Sequence, residues 1–451
     1  LVAEAAERAG HRVALLDLMF LRDPPGSIRA AVGRMRPDVI GISVRNIDNN
    51  DRSNSVNYIK DLLPLMAVIR AETDAIVILG GAAVSVMPGE ILEATGADAA
   101  AVGNGEELFP QILERIAGNR SFDDLPGVVR PGSDSRSASG GLATLGGDCI
   151  APAYSRWLDV PAYRREMAAA PVRTKQGCPF QCVYCTYPKI EGRTIRTSDP
   201  AAVADRVARL AASGTRDVEI VDSVFNAPAE HALQVCEALA RTRHNARIQS
   251  LDLNPAFFDD GLLGEMERAG FNGYGLTVES ASDRVLAGMR KGFGADKVHH
   301  AADVVRRHKP ACAWVFLFGG PGETPETVAE TLRFAERSVR RSDAVFFNAG
   351  IRIYPGTELE ELARNQGLLT ASRKEMLAPV FYLSPETDDA WLVAELRKFA
   401  AAHLNVINAE ALNLSILPAI NRAGSLMGLR PPLWRYTRII RRGLRLAGLD
   451  V

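Results

Sequence analysis

The sequence predicts two α/β units in tandem: an N-terminal doubly wound (Rossmann-like) domain, then a partial (β/α)6 barrel and a helical C-terminal region. Three observations predict this fold class. Apolar runs of strand length alternate with helical stretches in both halves, which is typical of parallel sheets covered by helices. A Gly- and Ser-rich stretch at 127–147 separates the two series. The 451 residues are enough for two or three domains.

In the first half, Leu1–Gly10 is expected to be the end of a helix, and His11–Asp17 a strand. The first strand of the sheet is then expected before Leu1, and the missing initiator Met suggests that the chain begins inside a longer gene product. The later strands and helices alternate as Ser27–Arg36 (helix), Asp38–Val44 (strand), Asn54–Glu72 (helix), Ala75–Gly80 (strand), Glu90–Thr95 (helix), Ala97–Val102 (strand) and Glu106–Ala117 (helix).

In the second half, six βα units follow one another in a length that suits a partial barrel better than a closed one of eight. The predicted strands are Val172–Lys175, Asp217–Val221, Arg247–Leu253, Gly273–Val278, Ala313–Leu317 and Ala344–Ile353. After Glu358 the pattern becomes helical and no strand is predicted. We place the first domain at 1–130, a linker at 131–165, the barrel at 166–360 and the helical region at 361–451.

Composition excludes several classes of protein. Hydrophobic residues make up 47% and charged residues 24%, so the chain is not mainly disordered. A net charge of −1 gives no reason to expect nucleic acid as a partner. Six cysteines in a chain of this length do not form a disulfide framework. No apolar run approaches the ~20 residues of a membrane span. Leu1–Gly10 does not resemble a signal peptide. A cytoplasmic location is therefore expected.

The strongest chemical signal is a loop with three cysteines just after a predicted strand. Cys178, Cys182 and Cys185 have the spacing C-x3-C-x2-C. Three thiolates can bind three irons of a 4Fe–4S cube and leave the fourth iron open. Four-ligand structural zinc fits less well, since no fourth Cys or His lies nearby. Three free or buried cysteines are the plain alternative.

This loop resembles the cluster-binding loop of the radical S-adenosylmethionine (radical SAM) superfamily. The resemblance implies that the open iron binds SAM and that reductive cleavage of SAM gives a 5′-deoxyadenosyl radical. Further segments match in the family order: Val221–Ser223, GLTVES at 275–280, DRVLAGMRKG at 283–292, LFGGPGET at 317–324 and IYPGT at 353–357. The resemblance implies that SAM is bound by Tyr184, Asp222, Ser223, Glu279, Arg290, Lys291, Gly319 and Gly320.

Each of these residues has a plain structural alternative. Asp222 could cap a helix, Glu279 could be a salt-bridged carboxylate, and Arg290 and Lys291 could be cations at a helix C-terminus. The Gly-Pro-Gly segment alone would be an ordinary turn. Val221–Ser223 lacks the usual Gly-Gly-Glu of the family, so that match is looser.

A parallel α/β domain before such a barrel resembles the cobalamin-binding domain of the cobalamin-dependent radical SAM branch. Small and polar residues follow its predicted strands, where ligands of doubly wound sheets bind. The candidate cobalamin residues are Ser43, Arg45, Asn46, Gly80, Gly81, Gly103, Gly105 and Glu106. No D-x-H-x-x-G motif is present, so we expect Arg45 or Asn46 at the lower face of the corrin without a strong cobalt ligand. A buried ion pair of Arg45 with Asp48 or with the linker is the alternative, and so is a different Rossmann ligand such as a nucleotide.

The resemblance implies a cobalamin-dependent radical SAM methyltransferase acting on an unactivated carbon of a natural-product or lipid-type substrate. A non-methylating rearrangement or cyclisation is the alternative, and a non-catalytic cobalamin or iron–sulfur sensor is a further one. The catalytic residues are not identified by the sequence. The implied cofactors are a 4Fe–4S cluster, SAM and cobalamin, and the implied partners are a small-molecule or lipid-like substrate and an electron donor.

Two further sets of residues are weighed. Five aromatic residues near predicted strand ends could line the substrate pocket or belong to the core: Tyr187, Tyr274, Trp314, Phe347 and Tyr354. The C-terminal stretch Trp434–Leu446 is basic and amphipathic and could touch an anionic membrane surface or be a solvated helix. Its arginines are Arg435, Arg438, Arg441, Arg442 and Arg445.

Overall fold

The computed structural model describes residues 1–133, 154–408 and 417–446. Most of the predicted linker lies outside the described residues. The strands are β1 Val39–Ser43, β2 Ile76–Gly80, β3 Ala99–Ala101, β4 Val128–Val129, β5 Ala170–Val172, β6 Lys175–Gln176, β7 Arg196–Thr197, β8 Asp217–Ile220, β9 Arg247–Leu253, β10 Phe271–Glu279, β11 Cys312–Phe318, β12 Ala344–Ala349, β13 Ile351–Arg352, β14 Phe381–Tyr382 and β15 Val406–Asn408.

Helices follow most of these strands. They are α1 Val2–Arg8, α2 Pro24–Met35, α3 Tyr58–Glu72, α4 Ala82–Val86, α5 Pro88–Thr95, α6 Gly105–Ala117, α7 Tyr154–Trp157, α8 Val160–Arg165, α9 Tyr187–Ile190, α10 Pro200–Ala212, α11 Ala229–Arg241, α12 Asp260–Arg268, α13 Asp283–Gly288, α14 Ala295–His308, α15 Pro325–Arg337, α16 Glu358–Asn365, α17 Asp389–Ala402, α18 Leu417–Leu426 and α19 Thr437–Leu446. Short 3₁₀ segments lie at Pro255–Phe257, Glu375–Leu377 and Leu433–Tyr436.

The first sheet has the order β1-β2-β3-β4, with the first three strands parallel and β4 antiparallel. β2 is an apolar run, and Val77, Ile78 and Leu79 are at most 1% exposed because helices cover both of its faces. The register pairs Ser43 with Gly80, so the carboxyl ends of β1 and β2 meet at one edge of the sheet. The doubly wound prediction for this half is confirmed.

The predicted strand at His11–Asp17 is wrong. These residues form no strand, and the apolar side chains that suggested one are largely exposed, with Leu15 at 44% and Leu16 at 40%. β1 pairs with β2 and has no ladder to this segment within the described residues. An alternating sequence becomes a strand only when a neighbouring strand accepts its hydrogen bonds, and none does so here.

The second sheet has seven parallel strands in the order β15-β12-β11-β10-β9-β8-β5. Six of them lie where the sequence predicts strands. The seventh, β15, is three residues long and lies in the region where no strand was predicted. It was missed because so short a segment carries no periodicity. Helices pack on the outside of the sheet, and the largest core cluster fills the space between them.

The helices begin where the sequence provides side-chain caps. Asp199 accepts hydrogen bonds from the first turn of α10, and Thr324 forms a capping box with Thr327 at the start of α15. Proline at the first position of both helices has the backbone angle that a helix needs. The cap at Thr324 fixes the point at which the chain turns into α15 after β11.

The C-terminal segment is folded onto the barrel. The guanidinium of Arg441 donates to the carbonyls of Ala400, His403 and Val406 at the end of α17, and only 6% of Arg441 is exposed. Arg445 also donates to Ala400. At Asn272, where β10 begins, Arg435 donates to the backbone carbonyl at 2.5 Å and to the side-chain oxygen at 2.7 Å. Three of the five arginines are thus engaged by the protein, so less basic surface remains than the sequence predicts.

In the described residues, no helix has both the length and the apolar character of a membrane span.

Candidate functional site

The three cysteines lie in one loop between β6 and α9, at the carboxyl end of the barrel. The chain enters this loop through Gly177, whose φ of +90° lies in the left-handed region. A Cβ at Gly177 would lie 2.1 Å from the carbonyl oxygen of Thr194, so no other residue fits without movement. The amide of Cys178 donates to the carbonyl of Gly192 at 3.0 Å. Backbone contacts with one neighbouring segment therefore fix the start of the loop.

Asp222 holds the chain just before the cysteine loop. Its carboxylate accepts hydrogen bonds from the amide and hydroxyl of Thr174, at 2.7 and 2.6 Å, and from the amide and ammonium of Lys175, both at 3.2 Å. Lys175 also donates to the carbonyl of Phe225 at 2.8 Å, and its pair with Asp222 is buried. Ser223 donates to the carbonyl of Gly177 at 3.3 Å. Four donors use the lone pairs of this carboxylate.

Asp222 and Ser223 were predicted to contact the amino group of SAM. The structure instead favours a positioning role, because their partners are the residues that lead into the cysteine loop. Lys175 was not singled out from the sequence. The sequence feature that could have pointed to it is a charged residue directly before the loop, in a stretch otherwise expected to be buried.

Tyr184, Glu279 and Lys291 come together although they are far apart in sequence. The hydroxyl of Tyr184 donates to Glu279 Oε1 at 2.8 Å, and Lys291 Nζ lies 3.1 Å from the same oxygen and 3.2 Å from the hydroxyl. Burial alone would lower the pKa of Lys291, but Tyr184 and Glu279 raise it well above its usual value. The ammonium therefore stays charged beside the cysteine loop.

Backbone geometry at the end of β10 aims Glu279. Its φ is +61°, which is unusual for a residue other than glycine, and the register with β11 shifts between Thr277 and Glu279. The bulge turns this carboxylate toward Tyr184. Such strained positions cluster at functional sites.

Arg290 points elsewhere: it pairs with Glu358 at 2.8 Å and is 55% exposed. Of the two cations proposed for the SAM carboxylate, only Lys291 joins the group.

Gly319 and Gly320 form the turn after β11. The amide of Gly319 donates to Glu323 Oε2 at 3.0 Å. A Cβ at Gly320 would lie 2.2 Å from the methyl carbon of Met289, the residue just before Arg290. Burial raises the pKa of Glu323 to about 7. This turn therefore supports the segment that carries Lys291.

The candidate residues of the first domain lie on loops at the carboxyl edge of its sheet. Ser43 ends β1, and Gly80 ends β2. Gly81 has a φ of +99°, and a Cβ there would lie 2.5 Å from the carbonyl oxygen of Val44. Two neighbouring loops can lie this close only because the residue has no side chain.

The loop after β3 reaches the barrel. The amide of Gly103 donates to Ser85 Oγ of the same domain at 3.0 Å. Gly105 begins α6, and Glu106 next to it lies 3.4 Å from Arg173, which follows β5. Glu106 thus meets a barrel residue that sequence reasoning did not single out.

A cavity of 460 Å³ lies between the two domains. The first domain contributes Arg45 and Asn46, and the barrel contributes Thr186, Tyr187 and Tyr354. Thr186 and Tyr187 directly follow Cys185, and α9 packs against α4. The cysteine loop and the loop after β1 therefore face one shared space.

Arg45 is exposed to this cavity and has no hydrogen-bond or ion-pair partner in the part of the chain that the structure describes. Asp48, the partner considered from the sequence, pairs with Arg352 at 2.8 Å instead. The alternative of an Arg45–Asp48 pair is therefore wrong. The guanidinium faces the space between the domains, as expected for a residue that meets a ligand there.

Two of the five aromatic candidates line the cavity, namely Tyr187 and Tyr354. The other three, Tyr274, Trp314 and Phe347, are at most 1% exposed and belong to the core between sheet and helices. The sequence left pocket and core open for them, because residues of a buried strand alternate between the two faces of the sheet and the sequence does not tell which face is inward.

Asp252, near the end of β9, is a further carboxylate that sequence reasoning missed. Burial, followed by the charges of Glu219 and Glu279, raises its pKa to about 7. Its side chain has no hydrogen-bond partner among the described residues. Perturbed carboxylates of this kind are frequent near functional sites.

The cysteine loop suits a cluster of several irons better than one ion. Across residues 1–133, 154–408 and 417–446, no three His, Cys, Asp or Glu side chains lie close enough to hold a single metal ion. A zinc ion with bonds of about 2.3 Å needs such a close group, whereas a cube holds each thiolate at a separate iron. Burial raises the pKa of Cys182, and that of Cys185 to about 12, so metal binding would release protons.

Comparison with protein families gives two matches. Residues 172–335 match the radical SAM superfamily, and residues 1–113 match the B12 binding domain. The tryptophan 2-C-methyltransferase of Streptomyces laurentii is 24% identical over 416 residues, which cover 78% of this chain and 69% of that protein. The hopanoid C-3 methylase of Methylococcus capsulatus is 26% identical over 263 residues, which cover 53% of this chain and 44% of that protein.

Two solved structures share the fold over almost the whole chain. The radical SAM methyltransferase TsrM from Kitasatospora setae, with tryptophan substrate and a SAM analogue bound, has a TM-score of 0.85 at 23% identity. The alignment covers 99% of this chain and 96% of that one. The cobalamin-dependent radical SAM enzyme OxsB, with aqua-cobalamin and SAM bound, has a TM-score of 0.61 at 14% identity, with 94% and 69% covered.

Proposed function

Because the chain belongs to the cobalamin-dependent branch of the radical SAM superfamily, we propose that it is a methyltransferase acting on a carbon of a small-molecule substrate. One observation carries the proposal. Thr186, which directly follows Cys185, and Arg45, on the loop after β1, line the same cavity of 460 Å³ between the domains. A sensor would need neither this shared cavity nor the buried group around Glu279.

The residues that would hold each cofactor follow from their positions. Cys178, Cys182 and Cys185 would hold a 4Fe–4S cluster, and Tyr184, Glu279 and Lys291 would bind SAM beside it. Arg45 and Asn46, on the loop after β1, would face the lower side of cobalamin. When bound, the cluster and SAM supply the radical that removes a substrate hydrogen, and cobalamin carries the methyl group.

The chain's own residues orient these groups. Asp222 and Lys175 fix the start of the cysteine loop. Glu279 accepts hydrogen bonds and carries a negative charge, which suits it to ribose hydroxyls. Lys291 is a buried cation that could pair with a carboxylate of SAM. Arg45 stays protonated and cannot ligate cobalt, so it would leave that face without a strong ligand.

Tryptophan is the substrate named for one relative and hopanoids for another. We propose a natural-product or lipid-type small molecule for this chain, bound in the cavity against Tyr187 and Tyr354. A reducing cytoplasm suits free thiols that hold iron. A peripheral membrane contact through α19 would use Arg438 and Arg442. The other three arginines of that stretch donate hydrogen bonds to the protein itself.

The test is anaerobic reconstitution with iron, sulfide and cobalamin, followed by incubation with SAM that carries a deuterated methyl group. The proposal predicts enzyme-bound corrinoid with a transferable deuterated methyl group and, with reductant and substrate, 5′-deoxyadenosine. Cys182→Ala should abolish 5′-deoxyadenosine formation. Formation of 5′-deoxyadenosine without methyl transfer to any product would instead favour a rearrangement or cyclisation.

A further inference from the structure

The strands of the barrel enclose a hollow on the inner side of the sheet. Side chains of β11 and β12 that face the helices, such as Phe316 and Phe347, are fully buried. Their neighbours on the other face, Val315 and Phe346, are partly exposed instead. We name the space that Val315 and Phe346 face the lumen.

One wall of the lumen is apolar. The register pairs Val315 with Phe346, and Phe346 with Ile407 of β15, so the three side chains lie side by side on one face of the sheet. Ile407 is also partly exposed. Apolar surface that lines a hollow is typical of small-molecule sites, where it contacts the body of the ligand.

The wall that β8 and β9 form carries two carboxylates. Glu219 of β8 and Asp252 of β9 are both partly exposed. The register of β9 with β10 shifts here, so that Leu251 and Asp252 both lie opposite Gly275. A bulge of this kind takes side chains out of the regular alternation, and Asp252 accordingly shares the lumen with Glu219.

Asp252 differs from the other charged groups near it, because they have partners. Glu279 is paired with Lys291, and Glu219 accepts a hydrogen bond from Gln249 Nε2 at 2.6 Å. The carboxylate of Asp252 has no hydrogen-bond partner among the described residues. Burial, followed by the charges of Glu219 and Glu279, raises its pKa to about 7. A cation bound beside Asp252 would offset this repulsion and favour the charged carboxylate.

The lumen is close to the cavity between the domains. Tyr187 lines that cavity. Burial, followed by the negative charge of Asp252, raises the pKa of the Tyr187 hydroxyl, so the two side chains lie near each other. A molecule that contacts Asp252 is therefore next to the space in which the cofactors are expected to meet.

We propose that Asp252 determines substrate specificity by pairing with a protonated amine of the substrate, whose apolar body lies against Val315, Phe346 and Ile407. The inference rests on the proposed function and narrows its substrate class to small molecules that carry a basic nitrogen. A neutral or anionic molecule of the same shape leaves the carboxylate unpaired or repelled, and it binds more weakly for that reason.

The experiment compares three probes that share a phenyl body and differ in charge: 2-phenylethylamine, 2-phenylethanol and 3-phenylpropionate. Their dissociation constants for the reconstituted holoenzyme are measured by calorimetry at pH 8, where Asp252 is ionised. The test variants are Asp252→Asn, which removes the charge, and Asp252→Glu, which keeps it. The control is Asp205→Asn, which removes an exposed carboxylate of α10.

We expect the wild type to bind the amine about tenfold or more tightly than the alcohol, and the carboxylate most weakly. Asp252→Asn should bind the amine and the alcohol with similar affinity, whereas Asp252→Glu and Asp205→Asn should keep the preference for the amine. Asparagine has nearly the shape of aspartate and no charge to bury, so Asp252→Asn is expected to fold.

Equal affinity of the wild type for amine and alcohol would overturn the proposal, and so would an unchanged preference in Asp252→Asn. Binding of S-adenosylhomocysteine is measured in parallel, because its ammonium group is a second candidate partner. If Asp252→Asn weakens that binding as much as it weakens binding of the amine, Asp252 belongs to the SAM site and the proposal is overturned.

The outcome also separates this inference from the proposed function. A holoenzyme that selects the amine through Asp252 but never transfers a methyl group would contradict the proposed function and leave the site in the lumen standing. A holoenzyme that transfers the methyl group of SAM to its corrinoid but does not prefer the amine would overturn only the role of Asp252.

Discussion

Arg352 of the barrel donates from Nε to Asp48 Oδ2 of the first domain at 2.8 Å, and both side chains are almost fully buried. Asp48 belongs to the loop after β1 that carries Arg45 and Asn46 toward the cavity. Nearby, the hydroxyl of Tyr354 donates to Asn50 at 2.7 Å. The loop that is expected to meet cobalamin is therefore held by the barrel as well as by its own domain.

Replacing Arg352 by alanine should strongly destabilise the protein, because it leaves the Asp48 carboxylate buried without its partner. Breaking such a pair typically costs ~3–5 kcal/mol. Urea unfolding under anaerobic conditions gives the value, and the visible spectrum after cobalamin loading shows whether corrinoid is retained. The control is Arg52→Ala, which removes a more exposed pair between the first domain and the helical C-terminal region, Arg52–Asp389. A similar, small effect of both substitutions would show that the buried pair does not hold the domains together.

Gly177→Ala should reduce cluster loading. The added methyl group would collide with the carbonyl of Thr194, and the residue has a φ of +90°. Gly214→Ala is the matched control, because its φ is +92° and no heavy atom lies within 4 Å of a Cβ there. Iron and sulfide content after reconstitution should fall in the first variant and stay near the wild-type value in the second. Equal iron content in both would mean that the loop adjusts to the methyl group.

Asp222→Asn tests the positioning role. It leaves the Lys175 ammonium buried without its negative partner, and we expect a loss of stability of about 2–4 kcal/mol together with lower iron content. Asp205→Asn, which removes an exposed pair with Arg209, should cost less than ~1 kcal/mol. If Asp222 instead contacted only SAM, the variant would keep its iron and its stability and show a higher KM for SAM.

Asp252 should make stability depend on pH. Its pKa in the folded protein is about 7, above the ordinary aspartate value of 3.8, so the folded state binds the proton more tightly than the unfolded state. Stability is then lost as the pH rises from about 4 through 7. Between pH 4 and pH 8, the free energy of unfolding of Asp252→Asn relative to wild type should rise by on the order of 2 kcal/mol. The measurement is the free energy of unfolding of both proteins at the two pH values, with Glu219, Glu279, Asp222 and Lys291 unchanged. An equal change of stability with pH in both proteins would contradict the prediction.

The cysteine loop, both sheets and most of their strands could be predicted from the sequence, because they depend on spacing and on continuous apolar runs. The strand at His11–Asp17 could not be judged, since a strand exists only through its neighbour. The ion pairs Lys175–Asp222 and Asp48–Arg352 join residues far apart in sequence, and single charged residues carry no signal of such a partner. The direction of Glu279 depends on a bulge in β10 that no pattern predicts.

The segment Leu433–Tyr436 lies against the start of β10, with Arg435 bound to Asn272, so the chain's own tail occupies the floor of the barrel there. Molecules that react at the opposite, carboxyl ends of the strands therefore have the cavity that faces the first domain as their route of approach.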